Sequence, residues 1–460
     1  MLNKATAKSL LKDFLPEFDR ERERLEKLDL WHGWTQEDIK LPRRTTDEHR
    51  TLAGISKTPW LRIVTGSVAQ CLHVDGWRSK KTEDMLDADS APWLTWRANG
   101  WDRRQHAVHN ATLVYGYSYG RALPGEAPQG GPRSVLRGVS PRKGYAVWQD
   151  PAEDDWPMYF LEVAAAPNNK RLVRLYDEDS VHYLEEDDGS LKYISYDIHG
   201  SDCVPFVRYG MPDLDGRCIG RVEPFVSTVA RMNKTTYDRM LTQHFNSWRV
   251  RTISGMTLPE DGTEREKLRL RQEDMLIAQD PETKFGSLPE TDLTGLIQSH
   301  RVDVDTLAAI SQTPTHEFGT IANLSADAIA AARAGLTRNA FEWRTALGAQ
   351  HTQLLQLAAY QEGHLEDAYD ETARVHWQDM EVRSLSQAVD ALGKAAEMLG
   401  VPVEALWQRI PDVDQDDVEE WMAINERRRQ EMLEGDPLTE LANRLERQSQ
   451  GGSEAEGGEE

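Results

Sequence analysis

The sequence has few of the features that mark secreted, membrane-spanning or zinc-binding chains. Its three cysteines, Cys71, Cys203 and Cys218, are an odd number without CxxC spacing, so neither a disulfide framework nor a zinc knuckle is encoded. No run approaches the roughly 18 apolar residues of a membrane-spanning helix. The charged N-terminal segment also lacks the apolar core of a signal peptide. These absences predict a soluble protein of a reducing compartment that is not secreted.

The sequence also lacks the common signatures of enzymes and motors. It contains no GxxxxGK[ST] phosphate loop, no GxGxxG after a strand, no HExxH and no GxSxG. His106 and His109 are three apart, on one face of a helix, but no third metal ligand accompanies them. Asp84, Asp87 and Asp89 lack the glycine and the terminal glutamate of a calcium loop. Structural histidines and a solvated loop explain these residues better than metal sites do.

Positive charge is in deficit, with 54 basic against 77 acidic residues and a formal net charge of -23. This balance opposes tight, sequence-independent binding of DNA by the surface as a whole. The acidic run 185–188 precedes a turn glycine and predicts a solvated hairpin tip. Acidic residues interrupt one alternating basic stretch, which therefore favours a solvated helix or a protein-contact surface over nucleic-acid contact: Arg265, Lys267, Arg269 and Arg271.

The chain contains enough apolar residues to form hydrophobic cores. Hydrophobic residues make up 39% of the chain and include 14 tryptophans. A length of 460 residues predicts roughly two to four structural units. Short runs rich in Val, Tyr and Leu predict mostly strands over 113–209, and helical periodicity flanks them on both sides. The fold class predicted is therefore α+β.

The apolar spacing predicts a series of helices. They cover residues 3–30 with a break at Pro16, then 60–74, 93–110, 224–250, 292–311, Ser325–Gln361, 384–400 with an S-x-x-Q capping box, 403–410 and 416–433. Short strands are predicted near 252–254 and 375–380. The helix from Ser325 stands out, because 37 residues span roughly 55 Å at 1.5 Å per residue.

Several short sequence motifs occur in a fixed order along the chain. They are WLRIVTGSVAQCLHVDGW, W-x-x-N-x-x-D at 96–102 followed by LVYGYSY, VPFV at 204–207, VSTVARMNKTTYDRML, NLSADAIAAARAGL, and WQD at 377–379 leading to RSLSQAVDALGKAAEMLGVP. In these motifs and their order, the chain resembles the portal, or head-to-tail connector, proteins of long-tailed bacteriophages. The similarity covers nearly the whole chain before the acidic tail.

The resemblance implies a ring subunit with an α/β wing, a two-helix stem, a small mixed clip, a long spine helix and a helical crown. By position, the wing comprises 1–221 and 325–382, the stem helices lie at 222–250 and 291–312, the clip is 251–290, the tunnel loop 313–324, the crown 383–436, and an acidic disordered tail 437–460. Such rings are dodecameric in the virion and surround a DNA channel at one capsid vertex. They have no catalytic residues and no cofactor.

The resemblance also implies candidate site residues and partners. Those expected to line the constriction are Thr315, His316, Glu317, Phe318 and Asn323. The alternating basic stretch of the clip is expected to face the terminase or the head-completion adaptor. Further partners are double-stranded DNA passing through without sequence preference and the major capsid protein or scaffold. The expected location is the virion, and the host cytoplasm during assembly.

Two other interpretations remain open from the sequence. One is a different structural ring or tail component of a virion. The other, weaker, is a metal-dependent enzyme that uses scattered carboxylates such as Asp84, Asp102 and Asp150.

Overall fold

The computed structural model describes residues 2–37, 39–41, 45–79, 90–246, 251–254, 284–287, 292–319, 326–378, 385–407, 409–410, 413 and 415–434. Contacts divide the chain into two compact units, each built from separate stretches of sequence. The first unit comprises Met1–Asp29, Ile63–Pro224 and Asn323–Glu460, and the second comprises Leu30–Arg62 and Phe225–Ala322.

Helices and strands are both abundant, which confirms the α+β class. The helices are α1 (Lys4–His32), α2 (Asp47–Ile55), α3 (Trp60–Ala69), α4 (Ala91–Ala98), α5 (Trp101–Tyr115), α6 (Val226–Asn246), α7 (Thr294–Ser311), α8 (Ala326–Glu362), α9 (Leu365–Ala368), α10 (Leu385–Leu399), α11 (Glu404–Trp407) and α12 (Gln415–Glu434). The strands are β1 (Val74–Arg78), β2 (Tyr117–Leu123), β3 (Val135–Val139), β4 (Gly144–Val147), β5 (Tyr159–Ala165), β6 (Arg171–Tyr176), β7 (Ser180–Asp187), β8 (Ser190–Ile198), β9 (Phe206–Gly210), β10 (Arg251–Ser254), β11 (Lys284–Ser287) and β12 (Arg374–Trp377).

Two antiparallel sheets of the first unit occupy most of the segment predicted to be β. One has the strand order β4-β5-β6-β7-β8 and the other β3-β2-β9. Aromatic side chains of the two sheets pack together, with the rings of Phe160 and Phe206 stacked 3.6 Å apart between centroids. The predicted strand start at Leu113 is wrong, because α5 continues to Tyr115. That helix ends at Gly116, whose φ of 95° suits glycine.

Helix α1 runs through Pro16 without the predicted break. Pro16 is exposed, whereas Ala7, Leu11, Leu15 and Phe18 are buried against the five-stranded sheet. Each fully buried Leu or Phe side chain contributes about 1.5–3 kcal/mol. Together these side chains outweigh the roughly 3 kcal/mol cost of an interior proline. The prediction failed because a local rule does not include this packing.

The helix predicted over 60–74 is also wrong at its end. Helix α3 stops at Ala69, and the chain enters β1, which pairs antiparallel with β12. The side-chain amide of Gln105 bonds both backbone polar groups of Val74, at 2.8 and 3.0 Å. The predicted helix 93–110 is two helices, separated at Gly100 with φ 58°. The partner of β1 lies far downstream, so local periodicity did not indicate this strand.

Helix α8 confirms the long predicted helix and has the predicted 37 residues. Trp343, Leu347, Leu354 and Leu355 are buried in the largest core of the first unit, with side chains from α5, β2, β9 and β12. The predicted N-cap, Ser325, lies outside the described residues. Helix α8 is therefore the central core helix of the first unit.

The second unit contains helices α6 and α7, which confirm the helices predicted over 224–250 and 292–311. Helix α6 is followed by β10, and β11 leads into α7; the two strands pair antiparallel, with Arg251 opposite Ser287. Strand β10 was predicted, and β11 was not. Asn233 of α6 accepts a hydrogen bond from Thr58 N and donates one to Gln36, which fixes the segment before α3 within this unit.

The predicted C-terminal helices are confirmed as α10, α11 and α12. Helix α10 ends at Leu399, and Gly400 adopts φ 65°, as a C-terminal glycine cap requires. The rings of Trp407 and Trp421 meet edge to face. Ser384 of the predicted capping box and the tail 437–460 lie outside the described residues. In the described part of the chain, no helix has the length and apolar character needed to cross a bilayer.

Candidate functional site

A helix–strand–strand–helix hairpin is the main feature of the second unit. At 1.5 Å per residue, α6 with 21 residues is about 32 Å long and α7 with 18 residues is about 27 Å long. The Arg231 guanidinium donates to the carboxylate of Asp303 at 2.9 Å and joins the two helices. The Asp303 side chain is 11% exposed and that of Arg231 is 56% exposed. The pair is therefore half solvated and contributes modestly to stability.

A tight turn follows α7. Thr313 is buried, with a hydrogen bond between its hydroxyl and that of Ser311 at 3.0 Å. Residues Thr315–Phe318 then form one 3-10 turn, which ends at Gly319 with φ 84°. Positive φ is accessible to glycine at little steric cost. Gly319 therefore allows the chain to end the 3-10 turn without steric strain.

Aromatic packing anchors this turn. The Phe318 side chain is buried, and its ring centroid lies 6.1 Å from that of Trp60. Trp60 also contacts the His300 ring of α7 at 6.0 Å. Burial, together with the positive charge of Arg239, lowers the pKa of His300. This corner of the second unit is accordingly built around a neutral, half-buried imidazole and two large rings.

A buried hydrogen-bond network that contains two histidines lies in the core of the first unit. His109 of α5 and His351 of α8 are both buried, with their Nε2 atoms 2.8 Å apart. His109 Nδ1 lies 3.2 Å from the carbonyl oxygen of Leu72, and His351 Nδ1 lies 2.9 Å from the Tyr209 hydroxyl. Sequence reasoning selected His109 but missed its partner His351, because the two residues are 242 positions apart.

One set of hydrogen positions satisfies this network. A carbonyl oxygen only accepts, so His109 Nδ1 carries its hydrogen and His109 Nε2 is an acceptor. His351 Nε2 must then donate to it, which leaves His351 Nδ1 to accept from Tyr209. Both imidazoles are neutral in this arrangement. Burial lowers the pKa of His109 to about 3 and that of His351 well below its ordinary value.

The carboxylates considered for metal chemistry have local structural partners. Asp102 accepts a hydrogen bond from the Trp96 indole at 2.7 Å, and Asp150 accepts one from Ala152 N at 2.9 Å. Asp84 lies outside the described residues. Within the described ranges, no group of three or more His, Cys, Asp or Glu side chains is placed to hold a metal ion. His106 stacks on His73 at 5.2 Å between centroids.

The comparison with protein families decides the class of the protein. The model of the family "Phage portal protein, SPP1 Gp6-like" matches residues 11–431. The chain belongs to this portal family. The predicted resemblance is thereby confirmed, and the family is one of structural, non-enzymatic proteins. Its members are components of phage particles and act as head-to-tail connectors.

The other comparisons add little. None of the curated protein sequences matches the chain. Among solved structures, the chain is similar to one from "Neck of native GTA particle computed with C12 symmetry", with 13% identity and a TM-score of 0.40. This similarity covers 80% of the present chain and 96% of that one.

The structure brings together only some of the residues predicted for the portal's sites. Thr315, His316 and Glu317 follow one another in the turn after α7, where Thr315 is exposed and the other two are half-buried. Phe318 faces Trp60 instead of the surface. Asn323 lies outside the described residues, as do all four basic residues of the predicted clip surface: Arg265, Lys267, Arg269 and Arg271.

The predicted acidic hairpin tip forms between β7 and β8, with the turn at Asp188 and Gly189. It is less solvated than expected. Arg171 of β6 donates to Glu186 at 2.7 Å and, with the bond from Gly189 N, holds the pKa of that buried carboxylate below its usual range. These acids therefore help to hold β6, β7 and the turn together.

Proposed function

We propose that twelve copies of the chain form a ring at one vertex of a phage capsid, around a channel through which double-stranded DNA enters and leaves. The observation that carries the proposal is the portal-family match over residues 11–431. In this ring, residues 1–221 and 325–382 form the wing, the segments containing α6 and α7 form the stem at 222–250 and 291–312, residues 251–290 form the clip, and residues 383–436 form the crown.

The charge of the chain suits a channel through which DNA slides. Each phosphate that a protein neutralises adds salt-dependent affinity for DNA. A formal net charge of -23 per copy produces an average field that repels DNA. A ring of such copies holds DNA weakly and lets it pass in both directions.

The turn after α7 is the proposed tunnel loop, residues 313–324. Thr315, His316 and Glu317 face the channel in this proposal, together with Asn323. Phe318 has a different role, because its burial against Trp60 supports an anchor for the loop. A loop anchored at Phe318 keeps its neighbouring polar residues in a defined position.

Two further regions contact other proteins of the particle in this proposal. The clip, with its alternating basic residues at 265–271, contacts the packaging terminase and later the head-completion adaptor. The wing and crown contact the major capsid protein or scaffold. The paired strands β10 and β11 support the clip assignment, because they join the stem helices to the segment 255–283.

Electron microscopy of the purified chain, with its native mass, tests the ring. Twelve copies of 52.3 kDa have a mass of about 630 kDa. We expect particles of this mass with an axial channel wide enough for duplex DNA. A ring in which residues 313–319 lie on the outer rim contradicts the channel role and favours a different structural component of the virion.

A bulky substitution tests the tunnel loop. Thr315→Trp is expected to leave ring assembly intact and to reduce DNA packaging several-fold in a packaging assay with assembled capsids. The matched control is Thr345→Trp, at an exposed position of α8. Normal packaging by intact Thr315→Trp rings contradicts the assignment of this loop.

A further inference from the structure

A groove of about 750 Å³ follows β9 on the side away from β2 in the first unit. One wall is a stripe of α8 that contains Gln350, Gln353, Gln356 and Tyr360, and the other wall is the segment 148–156. Gln350 bonds both backbone groups of Gly210, at 3.0 and 2.6 Å, and so closes the end of β9. The volume lies within the range of ligand pockets, roughly 300–1,000 Å³.

Hydrogen-bond acceptors dominate the polar lining of this groove. Glu153, Asp154, Asp155 and Asp202 line it, and none of them forms an ion pair within the described ranges. Asp154 accepts a hydrogen bond from Asp150 N at 2.8 Å, and Asp202 accepts one from the Tyr360 hydroxyl. The side-chain amide of Gln353 donates to the backbone oxygen of residue 155, and that of Gln356 donates to the backbone oxygen of residue 370. Their amide oxygens have no donor among the residues that the structure describes. The groove therefore favours a cation with several N–H donors.

Aromatic rings line the same groove: Trp148, Trp156, Tyr360 and Tyr369. A guanidinium stacks on aromatic faces and offers five donors, whereas an ammonium offers a compact point charge. Arg208 of β9 already binds in this way at one end of the groove. Its guanidinium lies 4.3 Å from the centre of the Trp148 ring and donates to Pro151 O at 2.7 Å. Further arginine side chains are thus the matching occupant.

The opposite edge of the same sheet carries arginines. Four arginines, which we name the arginine patch, lie on α5 (Arg103 and Arg104), on β3 (Arg137) and two residues before β3 (Arg133). No ion pair involves these four in the described part of the chain, and the Nε atoms of Arg104 and Arg133 are buried without a hydrogen-bond partner. Burial, and the charges of Arg104 and Arg121, lower the pKa of Arg137. Within the residues that the structure describes, the patch is therefore a positive surface without ion-pair partners.

We propose that the groove of one copy receives the arginine patch of the neighbouring copy in the ring; this inference rests on the ring of the proposed function. The two surfaces lie at opposite edges of the β3-β2-β9 sheet, so their contact joins different faces of the two copies. Such a head-to-tail contact repeats around a closed ring. The charge complementarity orients each copy relative to the next.

Charge reversal on each side tests the contact. The groove variant is Glu153→Lys/Asp155→Lys, and the patch variant is Arg103→Glu/Arg104→Glu. Each variant places like charges on both surfaces, so we expect about a tenfold or greater rise in the concentration at which half of the protein is assembled. An equimolar mixture of the two variants restores opposite charges at every contact. We expect it to form rings of parental mass with a 1:1 composition.

Matched controls carry the same charge changes elsewhere on the first unit. Asp13→Lys/Glu23→Lys and Lys12→Glu/Lys27→Glu alter exposed positions of α1 and are expected to assemble like the parent. Native mass spectrometry reports the mass and composition of each sample.

The outcomes separate this inference from the proposed function. A parent that forms rings, with reversed variants that assemble equally well, overturns the inference and leaves the portal ring intact. Variants that fail alone and also fail when mixed overturn it as well, because the charges then act within one copy. A patch variant that assembles normally but loses DNA binding assigns the patch to DNA and overturns it too. A parent that forms no ring contradicts the proposed function itself.

Discussion

Acidification is expected to destabilise the first unit through its two buried histidines. An unfolded histidine has a pKa near 6.5, whereas burial in the folded chain lowers the pKa of His109 to about 3 and that of His351 well below 6.5. Below pH 6.5 the unfolded chain therefore binds protons that the folded chain excludes. Their stabilising effect is complete above pH 6.5 and decreases as the pH falls towards the folded pKa values.

The size of the effect follows from the shift. Each pH unit between the two pKa values costs about 1.4 kcal/mol per group, so lowering the pH from 6.5 to 4.5 removes about 3 kcal/mol through His109 alone. His351 acts in the same direction. Protonation also places a hydrogen on both facing Nε2 atoms, which are 2.8 Å apart. The hydrogen bond between the rings is then lost.

Urea unfolding at a series of pH values measures this effect, followed by tryptophan fluorescence. Trp96 and Trp377 pack against His351 at 5.1 and 6.2 Å and report on this core. The comparison is between the parent and His109→Leu/His351→Leu, which removes both titrating groups. The variant loses the hydrogen bonds of the network at every pH, so its overall stability changes but its dependence on pH is expected to be weaker by about 3 kcal/mol or more between pH 6.5 and 4.5.

His364→Leu, at an exposed position, is the matched control and is expected to follow the parent at each pH. Parallel pH profiles for the parent and the double variant would refute the reasoning. They would mean that the two imidazoles take up protons in the folded chain as readily as in the unfolded chain.

Three further changes test the packing of the candidate regions. Asp303→Asn is expected to lower the free energy of unfolding by about 1 kcal/mol or less, because its partner Arg231 is largely solvated; thermal unfolding measures it, and a much larger loss would show a stronger coupling of α6 to α7. Phe318→Ala is expected to cost about 3 kcal/mol and to speed proteolytic cleavage of the turn after α7, whereas unchanged cleavage would contradict the anchoring role. Gly116→Ala is expected to abolish folding, because the residue has φ 95° and an added Cβ overlaps a neighbouring carbonyl; soluble, folded variant protein would disprove this.

Long elements with strong local periodicity could be predicted from the sequence. Helix α8 has its predicted length, and α6, α7 and α10 occur where the apolar spacing indicates them. The turn glycines at 189 and 400 adopt the positive φ that their sequence contexts imply. These features depend on residues within a few turns of one another, so the sequence pattern carries them directly.

Features that depend on distant partners were missed. Helix α1 continues past Pro16 because a sheet formed much later in the chain covers its apolar side. Strand β1 exists because β12 pairs with it. In the candidate site, the sequence indicated the turn at 313–319 but not the inward orientation of Phe318, which its contact with Trp60 determines.

The sequence by itself indicated the class of the protein, since its short motifs, in their order and spacing, resemble those of portal proteins. The tertiary structure decided which polar groups become buried, paired or left without partners. His109 and His351 are ordinary histidines in the sequence, and only the packing of α5 on α8 removes them from water and fixes their protons. The acidic groove and the arginine patch likewise arise only when sheet pairing places β9 and β3 at opposite edges. Burial and long-range pairing are set by chain topology, and no local run of residues encodes them.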